Sequence, residues 1–325
     1  MQSVPPKKMN AASLFCVTAL AVALLACQAF PVGRALAEVQ PRFLYKLSDF
    51  DGPVAFKTAQ IQVDNWRNEI YVADTRQAEV RIFNTQGMEV YRFGDDGSLG
   101  SLVDIAVSKA GDLFILGRKN HKPVMIQCDF KGRPLKHLNL TGLPPEFSAC
   151  LPNQLIYRHE QLFLMDTMNM LLVVTDSAGR FVKGYDIARL IGISTKQRGN
   201  TEIGGFNVDP NGNVFFTVPV MFSAYRLTPE GEIAGFGTPG SAPGRFGVVG
   251  GIAADAQGYC YVADRLKSVV LVFDRNFKFQ TEFGYRGRQP HNLISPVDIE
   301  LDAAGRLYVS QLGNRGVSVF KITHP

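Results

Sequence analysis

The chain has 325 residues, of which 46% are apolar and 19% charged, with 31 glycines and 18 prolines. That balance is globular and rich in turns, and it excludes a disordered or collagen-like chain. The formal net charge of +5 falls to +3 without Lys7 and Lys8, too little to argue for nucleic acid.

In chain order, Lys7 and Lys8 precede an apolar run from Ala11 to Ala26. A charged start and a short apolar core are the pattern of a secretory signal, and the run is short for a membrane span. Two endings compete. Leu24-Leu25-Ala26-Cys27 resembles a bacterial lipobox and makes Cys27 a lipidation candidate, whereas Ala35-Leu36-Ala37 before Glu38 fits ordinary cleavage. Residues 1–37 are therefore expected to be export signal and tether, and 38–325 a single domain. The expected location is periplasmic, outer-membrane-anchored or extracellular, with membrane contact only through the lipid.

An unattached strand, Phe43 to Leu47, comes next, and after it the sequence repeats. Tyr71-Val72-Ala73-Asp74 returns almost unchanged as Tyr261-Val262-Ala263-Asp264. The equivalent positions are Asp74, Gly117, Asp166, Val218, Asp264 and Gln311, spaced by 43, 49, 52, 46 and 47 residues. Such intervals match the roughly 40 to 50 residues of a four-stranded propeller blade. Outer strands are read at Met88 to Phe93, Pro134 to Leu140, Phe181 to Ile187, Glu232 to Phe236 and Lys278 to Phe283. The sixth unit stops at its third strand, so Phe43 to Leu47 is expected to complete it and leave no open sheet edge. The predicted fold class is all-β, a six-bladed propeller of four-stranded antiparallel blades closed by the N-terminal strand.

A glycine turn, Tyr-Val-Ala-Asp, a polar loop, Val-x-Val-Phe, a turn and Phe-Gly together resemble the NHL repeat. The match is sharp over Ile61 to Gly94 and Gly250 to Gly284, and looser in the other units. The resemblance implies a propeller over Arg42 to Pro325. It is specific for fold and weak for function, since such rings serve as binding platforms and, in relatives, as enzymes.

Cysteine adds little. Cys260 reads as a small buried hydrophobe, and Cys128 and Cys150, in neighbouring units, are candidates for a disulfide. No Cys-x-x-Cys-His or Cys-x-x-Cys is present, so the chain carries neither attached haem nor such a redox or zinc motif.

In a ring of this kind the second-to-third-strand loops and the inter-blade connections emerge on one face. Arg76, Arg118, Lys119, Lys122, Lys196, Arg198, Arg245, Arg265, Lys267, Arg286, Arg288 and Arg315 all fall in those segments. Of these, Arg76, Arg118, Lys196, Arg198, Arg245, Arg265, Arg286, Arg288 and Arg315 are the binding-face candidates. Clustered arginine suits carboxylate or phosphate recognition, though loops are polar in any case. Asp74, Asp166 and Asp264 beside them read as turn caps that maintain the repeat.

The enzymatic alternative is a calcium- or zinc-dependent hydrolase or lyase at the central channel, as the resemblance to lactonase- and amidating-lyase-like propellers implies. His121, His159 and His291 form no zinc motif. Asp104, Asn207, Asp255 and Asp298 recur near first strands and are the oxygen ligands calcium would find, although Asp209, Asp255 and Asp302 are also natural turn formers. No catalytic residue is assigned. No cofactor is expected from the residues themselves, and calcium is the metal left open. Trp66, the only tryptophan, sits in a turn where packing against a neighbour is the expected role. The reading reached is an exported, monomeric binding platform for an envelope protein or an acidic polysaccharide, with no nucleic-acid partner.

Overall fold

The structure, a computed structural model, describes residues 39–324 other than 95, 96, 98 and 121, together with Gln2. The compact unit is Val39–Thr323. The signal read over 1–37, Cys27 included, lies outside the described residues apart from Gln2, as does His121. Among the described residues no helix is long and apolar enough to cross a membrane.

Six four-stranded antiparallel sheets form the ring. From the inner strand outward, blade 1 is Ala59–Asp64, Glu69–Asp74, Glu79–Asn84 and Glu89–Phe93. Blade 2 runs from Ser101–Val107 to Pro134–Leu138, blade 3 from Gln154–Arg158 to Phe181–Asp186, and blade 4 from Phe206–Val208 to Ile233–Phe236. Blade 5 runs from Val249–Ala254 to Phe279–Phe283. Blade 6 has Pro296–Leu301, Arg306–Gln311 and Val317–Thr323, and its outer strand is the N-terminal Gln40–Lys46, with Phe43 opposite Phe320. The expected closure is present, displaced by a few residues from Phe43 to Leu47.

A single blade cannot bury both faces, so the cores lie between blades. One apolar cluster fills each interface. Phe56, Ile61 and Val72 of the blade 1 region pack on Tyr308 and Val319 of blade 6, for example, and Tyr261 and Val272 of blade 5 pack with Leu307 and Phe320. Hydrogen bonds confirm which loops share a face. Asp74 accepts from Lys57 N, Asp166 from Leu151 N and Asp264 from Gly247 N, each joining a second-strand end to the preceding inter-blade connection. The same carboxylates also cap the following turn, through Arg76 and Gln77, Asn169, and Leu266 and Lys267. Gln311 takes over the first task in blade 6, accepting from Ile294 N. The capping role expected of the repeated aspartates is thus observed.

The connection from blade 3 to blade 4 holds two short helices, Ile187–Leu190 and Thr195–Arg198, which the strand pattern did not announce. Cys128 and Cys150 are free and buried, so the candidate disulfide is absent. Burial pushes their thiols up to about 11 and about 12, as expected of inert core cysteines.

Candidate functional site

Three regions carry the polar chemistry: the channel, the loop-bearing face and the opposite mouth. In the channel, strand alternation turns Gln60, Gln62, Asp104, Gln154, Asn207, Asp298 and Glu300 toward one small cavity of about 20 Å³. Irregular pairing beside Asp104 and Asp298 marks local bulges in their strands. Asp104 accepts from Ile105 N and, across the blade boundary, from Leu155 N, both at 2.8 Å. Asp298 repeats this at the ring-closing seam, accepting from Ile299 N and from Ile61 N at 2.8 Å. Glu300 receives Asn207 Nδ2 at 2.6 Å across the channel. Burial, opposed by the two backbone donors, pushes Asp104 up to about 7. Burial likewise raises Asp298 and Glu300, with Arg158 and Asn207 opposing the rise at Glu300.

Sequence reasoning singled out Asp104, Asn207 and Asp298, and the ring brings them together. It missed Glu300, although a period of two from Asp298 places both on one face. Asp255 is elsewhere, capping a turn through Gln257 N and Tyr259 N. Blades 5 and 6 close tightly here, because a Cβ on Gly251 would meet Asp298 Cα and Ile299 N at 2.8 Å. Among the described residues no group of three or more histidines, cysteines or carboxylates is arranged to hold a metal. Both oxygens of each aspartate are engaged, and the cavity has room for about one water. The lining therefore fits blade-to-blade staples and does not fit an open catalytic metal site.

On the loop face, Arg76, Arg118, Lys196, Arg245, Arg265, Arg286 and Arg288 are exposed. Arg265 leans over Gly250 beside the channel. Arg198 is half-buried and paired with Asp186, and Lys267 forms a buried pair with Glu282 at 2.7 Å. Arg315 is partly buried with its Nε unpartnered. Nearby, Lys46 donates to the Arg315 carbonyl at 3.0 Å, and burial followed by Arg315 lowers its pKa. Five carboxylates of this face are spent internally, Asp74, Asp166 and Asp264 on backbone amides and Asp186 and Glu282 on cations, while Glu146 in the blade 2 to blade 3 connection is exposed. Glu202 is an exposed carboxylate in the same region.

The opposite mouth holds a larger cavity of about 500 Å³, reached from the first-to-second-strand turns of blades 1 to 4. Trp66 stands at its rim, 67% exposed rather than packed away, with Lys109 Nζ 4.4 Å above its ring.

No family model and no curated protein sequence matches the chain. Solved structures do. A streptogramin B lyase is similar at 11% identity with TM-score 0.58, over 88% of this chain and 97% of that one. The virginiamycin B lyase of Staphylococcus aureus gives 12%, 0.56, 86% and 87%. A gluconolactonase candidate gives 14%, 0.58, 90% and 94%. At such identities the likeness establishes the six-bladed fold and nothing finer.

Proposed function

We propose that the chain is an exported NHL-type propeller that works as a non-catalytic binding platform. Its loop-bearing face engages a carboxylate-rich partner, either an acidic envelope-protein surface or an acidic polysaccharide. One observation carries this reading: Arg76, Arg118, Arg245, Arg265, Arg286 and Arg288 of that face are exposed while most of its carboxylates are consumed by backbone amides and internal ion pairs. Uncompensated guanidinium groups on a rigid ring suit bidentate recognition of carboxylates. The protein acts as a monomer in the cell envelope, held by a lipid on Cys27 if the first of the two signal endings is used.

The competing reading, a metal-dependent hydrolase or lyase, draws on the convergence of Asp104, Asp298 and Glu300 and on enzymes among the similar structures. The engaged oxygens and the tight cavity weigh against it.

The binding reading is tested by immobilising polyglutamate and polygalacturonate and measuring capture of the protein. Reversing Arg265, Arg286 and Arg288 to Glu should weaken capture at least tenfold at low salt. Reversing Lys131, Arg275 and Lys278, which sit in third-to-fourth-strand turns, should change it little. Equal capture on polyglutamate by wild type and the first triple variant would sink the assignment of the face.

A further inference from the structure

We propose that the cavity at the mouth opposite the arginine-bearing loops is a binding site for an acidic sugar ring, a hexuronate. This inference is independent of the loop-face reading. Its volume of about 500 Å³ falls within the ~300–1,000 Å³ of small-molecule sites.

The walls are held before any ligand arrives. Arg67 donates to Asp64 Oδ2 at 2.8 Å and to the Lys109 carbonyl at 3.2 Å, which fixes the Trp66 turn against the Lys109 turn of the next blade. Asp64 also accepts from Trp66 N at 2.8 Å. On the far wall, Arg158 pairs with Gln161, so His159 and Glu160 form a two-residue hairpin turn. Both have positive φ, 51° and 60°, where asparagine and glycine are the usual occupants. His159 Nε2 donates to the Pro210 carbonyl at 3.1 Å and ties that turn to blade 4. The strained pair is thus braced by its neighbour, a pattern associated with functional sites.

The lining selects the ligand class. Trp66 is 67% exposed, and its indole, with the Lys109 ammonium over one face, offers ring surface suited to the apolar C–H face of a pyranose. Lys109 and Arg158 are two cations on the same cavity; Arg158 donates through Nε to the Val208 carbonyl at 3.2 Å and also bears electrostatically on the channel carboxylate Glu300, so Lys109 is the more available of the two. Together they suit a carboxylate. Glu160 would repel a bare anion but accepts hydrogen bonds from hydroxyls. An apolar face, a carboxylate and several hydroxyls occur together in a uronic acid, whereas an aromatic acid leaves Glu160 unanswered and a neutral sugar brings no anion to the Lys109 ammonium.

Because Trp66 is the only tryptophan, its emission reports on this cavity alone. The full chain is titrated with glucuronate and galacturonate, their trimers, methyl glucoside and benzoate. The expected result is a saturable emission change with uronates at up to roughly 10 mM, the range of weak single-ring binding, and at least tenfold weaker binding of methyl glucoside and benzoate. Lys109→Ala, at an exposed position, should weaken uronate binding at least tenfold with an unchanged melting temperature. Calorimetry on Trp66→Ala should show loss of binding. Tighter binding of the trimers marks a polysaccharide segment as the ligand, and equal binding marks a single ring. The proposal is overturned by an absent emission change, by equal binding of methyl glucoside or benzoate, or by full affinity in Lys109→Ala.

Discussion

At the scale of the residue, the buried carboxylates divide into caps and staples. Asp264 accepts from Gly247, Val248, Leu266 and Lys267 amides, so Asp264→Ala strands several donors. Urea unfolding should show a loss of roughly 2–4 kcal/mol, while Arg76→Ala, at an exposed position of the same face in blade 1, should cost under about 0.5 kcal/mol. Asp104 behaves differently, since burial raises it from 3.8 to about 7. Its folded form holds the proton more tightly than the unfolded chain does, so its contribution to stability is full below the unfolded value and is lost as pH rises through the folded one. Melting temperatures of wild type and Asp104→Asn, compared between about pH 4 and pH 7, should show the wild type losing its relative advantage as pH rises. A difference that stays flat or grows with pH would refute this. The caps were legible in the sequence because their task is local and recurs at one position of the repeat. The channel set was only half legible. Asp104, Asn207 and Glu300 are far apart in sequence, and only closure of the ring makes them neighbours.

At the scale of the element, close approach and closure decide the outcome. Gly205 and Gly251 let inner strands meet backbone to backbone, since a Cβ on Gly205 would lie 2.8 Å from Gly251 Cα. Gly251→Ala must push its Cβ against the Val297–Ile299 main chain of blade 6, at a cost of about 1–3 kcal/mol, measurable by thermal melting. The seam depends on Gln40–Lys46, where Phe43 packs edge-on to Phe320 at 5.6 Å. Phe43→Ala should lower stability by about 2 kcal/mol and raise hydrogen exchange first in Val317–Thr323. Strand order and closure were readable because the hydrophobic alternation and the missing sixth outer strand are both local facts. The two short helices of the long blade 3 to blade 4 connection were not, because four residues each give no period to detect.

At the scale of the whole molecule, the ring separates its chemistry by face. One end presents exposed arginines whose neighbouring carboxylates are mostly spent, the channel is stapled nearly shut, and the other end opens into the Trp66 cavity. The proposed binding through this face would draw its affinity from electrostatics that salt screens over about 8 Å at physiological strength. Capture on polyglutamate should therefore fall steeply between low and physiological salt. The most direct test of the central claim is a hydrogen-exchange footprint of the protein with and without polyglutamate at low salt. The account predicts protection in the loops after the second strands, around Arg76, Arg118 and Arg265, and in the connection around Arg286 and Arg288, with the turns at Trp66, Lys109 and His159 unchanged. Protection confined to those turns, or none on the arginine-bearing face, would contradict it.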